Sequence, residues 1–271
     1  LSGCPELRNE NSMNLADLFS TLGISLLIQA VFFVFAASLK TDKVTDFSYG
    51  LTFVILAFVL LLKNDPADPA QLALALMVVL WGVRLAGYLF YRIVRIKRDA
   101  RFDGIRENFW KFFQFWLFQG IAVWIIMLPV TAWFGSPGPW QALMAVGSGV
   151  WLSGLAIETI ADIQKFRQKS GALGARRWMS SGLWRYSRHP NYFGELLCWW
   201  GVFLFAATGL KGWSWLSILG PVTITYILLY VTGIPPLEQT ADKKWGGDPG
   251  YLEYKRSTNV LIPWLPRAAR R

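Results

Sequence analysis

Apolar residues run along this chain in long blocks separated by short basic stretches. Seven blocks approach the roughly 20 residues that a helix needs to cross a hydrocarbon core about 30 Å thick. They extend from Leu18 to Leu39, Phe47 to Leu62, Ala70 to Tyr91, Phe109 to Phe134, Trp140 to Ile160, Tyr192 to Leu210 and Trp213 to Gly233. The pattern predicts an all-α integral membrane protein of seven transmembrane helices. The second block is the shortest. Gly and Pro interrupt several others, which membrane helices accommodate where neighbouring helices satisfy the freed backbone groups. With no internal repeat or low-complexity tract, residues 13–271 read as a single seven-helix domain. Leu1 to Ser12 read as a polar leader unrelated to the apolar blocks, with Met13 as the expected start. No basic segment precedes the first block and no small-residue cleavage site comes after it, so a signal peptide is not expected.

The basic residues orient the helices. The connection after the third block carries Arg92, Arg95, Lys97, Arg98, Arg101, Arg106 and Lys111, and the connection after the fifth carries Lys165, Arg167, Lys169, Arg176, Arg177, Arg185 and Arg188. Together with Lys40, Lys43 and the tail from Lys243 to Arg271, they put 23 of the 27 Lys and Arg on one face. The positive-inside rule makes that face cytosolic and the N-terminus external. The host is then a bacterial inner membrane, or the endoplasmic reticulum in a eukaryote. For scattered loop cations the plainer reading is topology and anionic headgroups, and a nucleic-acid partner is not expected.

Composition narrows the chemistry. Hydrophobic residues make up 54% of the chain and charged ones 16%, against about a quarter charged in soluble domains. A single His, His189, removes His-rich di-iron sites, bis-His haem and zinc hydrolysis, so no metal is expected. Cys4 and Cys198 form neither a disulfide framework nor a metal cluster. Most of the 15 Trp and 19 Phe read as interfacial and lipid-facing packing. No glycine-rich dinucleotide fingerprint or phosphate-binding loop is present, so a Rossmann domain or ATPase is unsupported.

Ionisable groups inside a span cost about 3 kcal/mol even on the mildest insertion scale, so each is a functional candidate. Asp46 begins the second block, Arg84 lies within the third, Glu158 and Asp162 end the fifth, and Glu195 sits one turn into the sixth. An internal pair between Arg84 and a carboxylate would be the structural alternative. Glu158 and Asp162 are four apart and face one side of a helix, an arrangement suited to sugar hydroxyls or to neighbouring Arg side chains. The densest stretch is Gly182-Leu-Trp-Arg-Tyr-Ser-Arg-His-Pro-Asn-Tyr-Phe-Gly-Glu195. Pro190 is favoured at the first helical position, which puts His189 at the cap. Arg185, Arg188, His189 and the free amides there form a candidate phosphate site, while Asn191 and Glu195 lie one turn apart with Tyr192 and Cys198 near them. The lone His could equally cap the helix with no ligand.

Four motifs in order carry a resemblance. Trp81-Gly-Val-Arg-Leu-Ala-Gly-Tyr88, the loop Arg98-Asp-Ala-Arg-Phe-Asp103 to Arg106, Glu158-Thr-Ile-Ala-Asp-Ile-Gln-Lys165 and Ser187-Arg-His-Pro-Asn-Tyr-Phe-Gly-Glu195 resemble the bacterial branch of the steroid 5-alpha-reductase family. The tail Tyr251-Leu-Glu-Tyr-Lys-Arg-Ser-Thr-Asn-Val-Leu-Ile-Pro263 is similar to the family's ending. The resemblance implies a seven-helix membrane enzyme that reduces the C4=C5 double bond of a 3-oxo-Δ4 steroid, or a similar polycyclic enone, with NADPH. By the same resemblance Arg84, Arg95, Asp162, Arg177, Asn191 and Glu195 contact the cofactor, and Glu158 stands where animal members have Asn. Arg101, Lys165, Tyr186, Arg188, His189, Tyr192 and Glu238 complete the expected cofactor set. The animal branch holds the substrate ketone with a Glu on the second helix and a Tyr on the third; the nearest positions here are Asp46 and Trp81. An indole cannot donate a hydroxyl proton, so Asp46, Tyr49 and Tyr88 become the catalytic candidates. Hydride addition builds negative charge on the ketone oxygen, which needs a donor already aimed at it. The protein is expected as a monomer. Two other readings stay open: an S-adenosylmethionine-dependent membrane methyltransferase, whose class shares the Arg-His-Pro run, and a lipid-binding protein without catalysis.

Overall fold

The computed structural model describes residues 14–64, 68–96, 102, 104–170 and 177–266. Ten α-helices of eight or more residues are present among them: α1 (Leu15–Ser38), α2 (Thr45–Lys63), α3 (Pro69–Ile96), α4 (Phe109–Ile126), α5 (Leu128–Gly135), α6 (Ala142–Ser170), α7 (Pro190–Ala206), α8 (Leu219–Tyr226), α9 (Ile234–Trp245) and α10 (Pro249–Ser257). Seven helical stretches are long and apolar enough to span a membrane, and no sheet occurs among the described residues. The only backbone pairing of strand type there is an isolated bridge between Ser187 and Asn259.

The expected blocks and the observed helices differ most in the fourth, fifth and seventh, each for a local reason. The fourth block is broken between α4 and α5 at Met127. Pro129 has no amide to continue the ladder and its ring would strike the carbonyl four residues earlier, so a new helix starts around it. The fifth extends well past its apolar run, to Ser170, because Ala161 to Gln168 contains good helix formers that need no lipid. Glu158 and Asp162 therefore lie within α6 rather than at its end. The seventh is segmented into a 3₁₀ stretch (Gly212–Ile218), α8, a π turn (Ile227–Val231) and α9. The break falls at Gly233, where Pro235 and Pro236 exclude a continuous helix and favour the first turn of a new one.

Packing divides the chain into two compact units, Leu1–Ser148 with Val202–Gly220, and Gly149–Gly201 with Pro221–Arg271. In the first unit α1 is apolar all round except for one stripe. Its buried residues recur at the helical repeat, Asp17, Thr21, Ser25, Gln29 and Phe33, while Leu27, Val31 and Val34 are exposed. Lipid is as apolar as leucine, so helices here associate through close packing and hydrogen bonds rather than hydrophobic burial. The stripe supplies those bonds. Ser25 donates to the Gly120 carbonyl at 2.8 Å, Gln29 to Thr52 at 2.7 Å, and Gln119 of α4 to Gln29 at 2.9 Å and Ser48 at 3.1 Å. Ion pairs flank the seam, Lys63 with Asp17 at 3.2 Å and Arg106 with Asp42 at 3.0 Å. Helices α2 and α3 approach at Gly50 and Gly82, where an added Cβ would stand 2.9 Å from Ala86 Cβ or Val54 Cγ2. Trp81 and Phe53 pack edge to face beside that contact, 5.1 Å between centroids.

In the second unit α6 and α7 almost touch. A Cβ on Gly194 would lie 2.6 Å from the Glu158 nitrogen and the Gly154 oxygen, and one on Gly154 would lie 2.6 Å from the Gly194 oxygen. Two backbones meet there with no space for a side chain, which sets the register: Cys198 faces the Trp151 carbonyl, Gly194 faces Glu158, and the start of α7 runs level with Asp162. Gly194→Val should therefore separate the helices and cost about 1–3 kcal/mol or more. A thermal-unfolding midpoint in detergent checks this; Gly149→Ala, where nothing lies within 4 Å of an added Cβ, should leave it unchanged.

Candidate functional site

The two glycines decide which polar side chains of the second unit come together. Glu158 and Asp162 of α6 are 2% and 7% exposed, and Glu195 of α7, next in sequence to Gly194, is 8% exposed. Three buried carboxylates on two helices that touch are costly unless they are partnered or serve a ligand. Each of the three has interaction partners within the protein.

Helix α7 begins at Pro190 as its sequence predicts, and the His189 carbonyl accepts the first intrahelical bond, from Phe193 N at 3.2 Å. The segment leading into it is held from behind by residues beyond α10. Arg188 N donates to the Asn259 carbonyl at 2.8 Å, Ser187 Oγ to the Leu261 carbonyl at 2.7 Å, and Trp264 N to the Tyr186 carbonyl at 3.0 Å. Tyr254 adds a bond from its hydroxyl to the Trp184 carbonyl at 2.8 Å. On α6 the Trp184 indole donates to the Ala161 carbonyl at 3.1 Å, and Lys165 Nζ lies 4.8 Å above the Trp184 ring.

Held in this way, Arg188 and His189 meet α9. Glu238 takes the Arg188 guanidinium on one oxygen at 2.7 Å and His189 Nε2 on the other at 2.8 Å, with Lys255 Nζ 3.5 Å away. Lys255 also binds Asp242 at 2.6 Å, and Tyr251 donates to the same carboxylate at 2.9 Å. The Tyr192 ring lies parallel to the imidazole, 5.7 Å between centroids and 10° between planes. Three atoms at this point are buried without a hydrogen-bond partner: Arg188 Nε, His189 Nδ1 and Asn191 Oδ1. Burial holds the imidazole below its ordinary pKa of 6.5, with Glu238 opposing the shift and the charges of Lys165 and Arg188 adding to it.

Of the sequence-predicted cofactor residues, the second unit thus contains Glu158, Asp162, Lys165, Arg177, Tyr186, Arg188, His189, Asn191, Tyr192, Glu195 and Glu238. Direct bonds join Arg188, His189 and Glu238; Arg177 and Tyr186 are exposed, and Arg177 sits 5.7 Å from the Trp178 ring. Arg84 belongs to the first unit, half-buried on α3 one turn from Tyr88. Arg95 is on α3 where side chains are outside the described residues, and Arg101 lies outside them altogether. Asp46 and Tyr49, half-buried on the first two turns of α2, belong to the first unit with Tyr88. That unit also carries a groove between α1 and α4, lined by Leu26, Gln29, Phe33, Phe113, Trp116 and Leu117. Trp116 Nε1 is a buried donor with no partner there.

Sequence reading missed Ser187, Lys255, Asp242 and Trp116. Ser187 bonds the Leu261 carbonyl 74 residues along the chain, and Lys255 of α10 joins Asp242 and Glu238 of α9, contacts that no local pattern encodes. Trp116 is one indole among many. Metal-ligating clusters of His, Cys, Asp and Glu are absent among the described residues, and Cys198 is a buried thiol facing the Trp151 carbonyl.

Over residues 32–258 the chain matches the family described as a protein of unknown function, DUF1295, and it belongs to that family. It is similar to an uncharacterized protein, C594.04c, of Schizosaccharomyces pombe, at 25% identity over 191 residues. The aligned part is 57% of this chain and 55% of the yeast protein, so the chain spans about half the length of that relative. No solved structure matches it.

The imidazole gives a signed prediction for stability. A folded-state pKa below 6.5 means that the unfolded chain binds a proton first on acidification, so stability from this group is complete above pH 6.5 and declines as pH falls below it. Between pH 7.5 and 5, His189→Asn should lose less thermal midpoint than the parent protein, by about 2–4 °C for each kcal/mol involved. Equal losses in the two proteins would show that folding leaves the imidazole's proton affinity unchanged, and a smaller loss in the parent would show a folded-state imidazolium.

Proposed function

We propose that this member of the DUF1295 family is an NADPH-dependent membrane reductase that saturates the C4=C5 double bond of a 3-oxo-Δ4 steroid or a similar polycyclic enone. The observation that carries the reading is the trio of open, buried hydrogen-bonding atoms at the start of α7, Arg188 Nε, His189 Nδ1 and Asn191 Oδ1. A polar cluster with only a structural role closes on itself, because each buried group left unmet costs about 1–3 kcal/mol. A ligand-binding site instead keeps such atoms open for its ligand.

The residue set fits a phosphorylated dinucleotide. Arg177 and Arg185 are exposed cations in the connection between α6 and α7, suited to phosphates at the water boundary. Buried Glu158, Asp162 and Glu195 are suited to ribose hydroxyls, which they can accept without a change in charge. When bound, NADPH supplies the reducing equivalent, and the protein supplies orientation and electrostatics. Saturating an enone places negative charge on its ketone oxygen, and Asp46, Tyr49 and Tyr88 are the groups of α2 and α3 suited to meet it. The apolar groove between α1 and α4 supports an apolar substrate drawn from lipid.

Purified protein given testosterone or progesterone should consume NADPH and form the dihydro-steroid. Asp46→Ala should lower turnover by about 100-fold with NADPH binding intact, since positioned acid and oxyanion groups contribute that much or more. Asn191→Ala and Arg177→Ala should each weaken NADPH binding by about tenfold, the value of one good hydrogen bond. Calorimetric binding of S-adenosylmethionine in place of NADPH would select the methyltransferase reading, and binding of neither would select a non-catalytic one.

A further inference from the structure

We infer that His189 reads a neutral hydrogen-bond donor on the bound molecule, a sugar hydroxyl or an amide N–H, through a bare Nδ1 acceptor, and that Glu238 is the positioning residue that fixes this role. The ligand part rests on the dinucleotide reading; the imidazole tautomer does not.

The argument begins at Glu238. One oxygen receives Arg188 at 2.7 Å and Lys255 stands 3.5 Å from the same oxygen, so the group is an ionised carboxylate that only accepts. Its other oxygen lies 2.8 Å from His189 Nε2, and two acceptors cannot share that distance, so Nε2 carries the hydrogen. His189 is 5% exposed, and its Nδ1 has no acceptor within reach. Protonating Nδ1 would bury a cationic N–H with nothing to receive it, beside the positive charges of Arg188 and Lys165. The imidazole is therefore neutral, hydrogen on Nε2, lone pair on Nδ1. A lone pair on a neutral ring repels a phosphate oxygen and accepts from O–H or N–H. The same holds for Asn191 Oδ1, the second open acceptor, whereas Arg188 Nε is an open donor. The buried part of the site is thus matched to hydroxyl and amide groups rather than to phosphate. Ser187 Oγ, accepting from the His189 backbone N–H at 3.1 Å, fixes the main chain there, and the Tyr192 ring lies parallel to the imidazole.

The chain has one His, so selective ¹⁵N-histidine labelling of the full-length protein in lipid nanodiscs gives one unambiguous imidazole. At neutral pH the free protein should show a protonated Nε2 and an unprotonated Nδ1. NADPH should move the Nδ1 resonance toward that of a hydrogen-bonded acceptor without protonating it. Reduced nicotinamide mononucleotide and 2′-phospho-ADP-ribose, added separately, identify which half of the dinucleotide supplies the donor, and a shift from either supports the assignment. Inorganic pyrophosphate alone should leave Nδ1 in place. A free protein with the hydrogen on Nδ1, or with an imidazolium, overturns the inference, as does NADPH binding with Nδ1 unmoved. Failure of NADPH to bind by calorimetry overturns the dinucleotide reading and the ligand part with it, while the tautomer is still read in the free protein. Glu238→Gln supplies a second readout. Arg188 only donates and so keeps the amide oxygen, which turns the amide NH₂ toward His189 and forces the hydrogen onto Nδ1. NADPH affinity should then fall by about tenfold or more, because two donors face each other; retention of both tautomer and affinity in that variant overturns the positioning role.

Discussion

Arg188, His189 and Lys255 converge on the single carboxylate of Glu238, at 2.7, 2.8 and 3.5 Å, and the second unit is organised around that convergence. It ties the start of α9 to the start of α7 and brings α10 alongside through Lys255. The pair is shielded, with Arg188 and Glu238 side chains 12% and 19% exposed. Removing one partner of such a pair leaves the other charge uncompensated and costs about 3–5 kcal/mol, more than the pair itself contributes over an apolar substitute. The carboxylate therefore matters less as a source of stability than as a constraint. It fixes which atoms of Arg188 and His189 are used internally and leaves Nε of one and Nδ1 of the other open.

The first unit solves the same problem with neutral groups. On α1, Ser25 bonds the Gly120 carbonyl of α4 and Gln29 joins Thr52 of α2 to Gln119 of α4, which also reaches Ser48 of α2. Hydroxyls and amides are cheap to desolvate beside carboxylates, and in lipid they replace the hydrophobic drive that would hold soluble helices together. Charged pairs flank this seam, Asp17 with Lys63 and Asp42 with Arg106. The first unit thus joins α1, α2 and α4 through neutral polar groups, and the second gathers charge around Glu238.

The contrast explains what the sequence disclosed. Seven apolar blocks of near-membrane length were readable because lipid enforces composition over about 20 residues at a time. The start of α7 was readable because Pro190 restricts the local backbone. The break at Met127 was concealed by apolar residues on both sides of Pro129, and the extension of α6 by the assumption that a helix ends where its apolar run ends. Buried carboxylates at Glu158, Asp162 and Glu195 were visible as anomalies within spans. The role of Glu238 was not, since it depends on Lys255 and on Ser187 being held by residues near 260, and those contacts exist only once α9 and α10 have folded back. The polar stripe of α1 was in plain view at a spacing of four, yet three neutral polar residues, Thr21, Ser25 and Gln29, do not stand out in an apolar helix as a charge does.

Depth then assigns chemistry within the proposed site. By sequence alone, Arg185, Arg188 and His189 read together as a phosphate site, because cations near a helix start attract anions. Once Glu238 has paired with Arg188 and His189 stands neutral, little positive potential is left at the imidazole, and a phosphate brought to His189 would meet a carboxylate within one ring's width. A phosphate is also the costliest part of a dinucleotide to remove from water. Arg177 and Arg185 are exposed cations of this region, while the open acceptors His189 Nδ1 and Asn191 Oδ1 are buried. Charge at the surface and neutral acceptors below are what a phosphorylated sugar requires if its phosphates stay at the water boundary while its hydroxyls go inward.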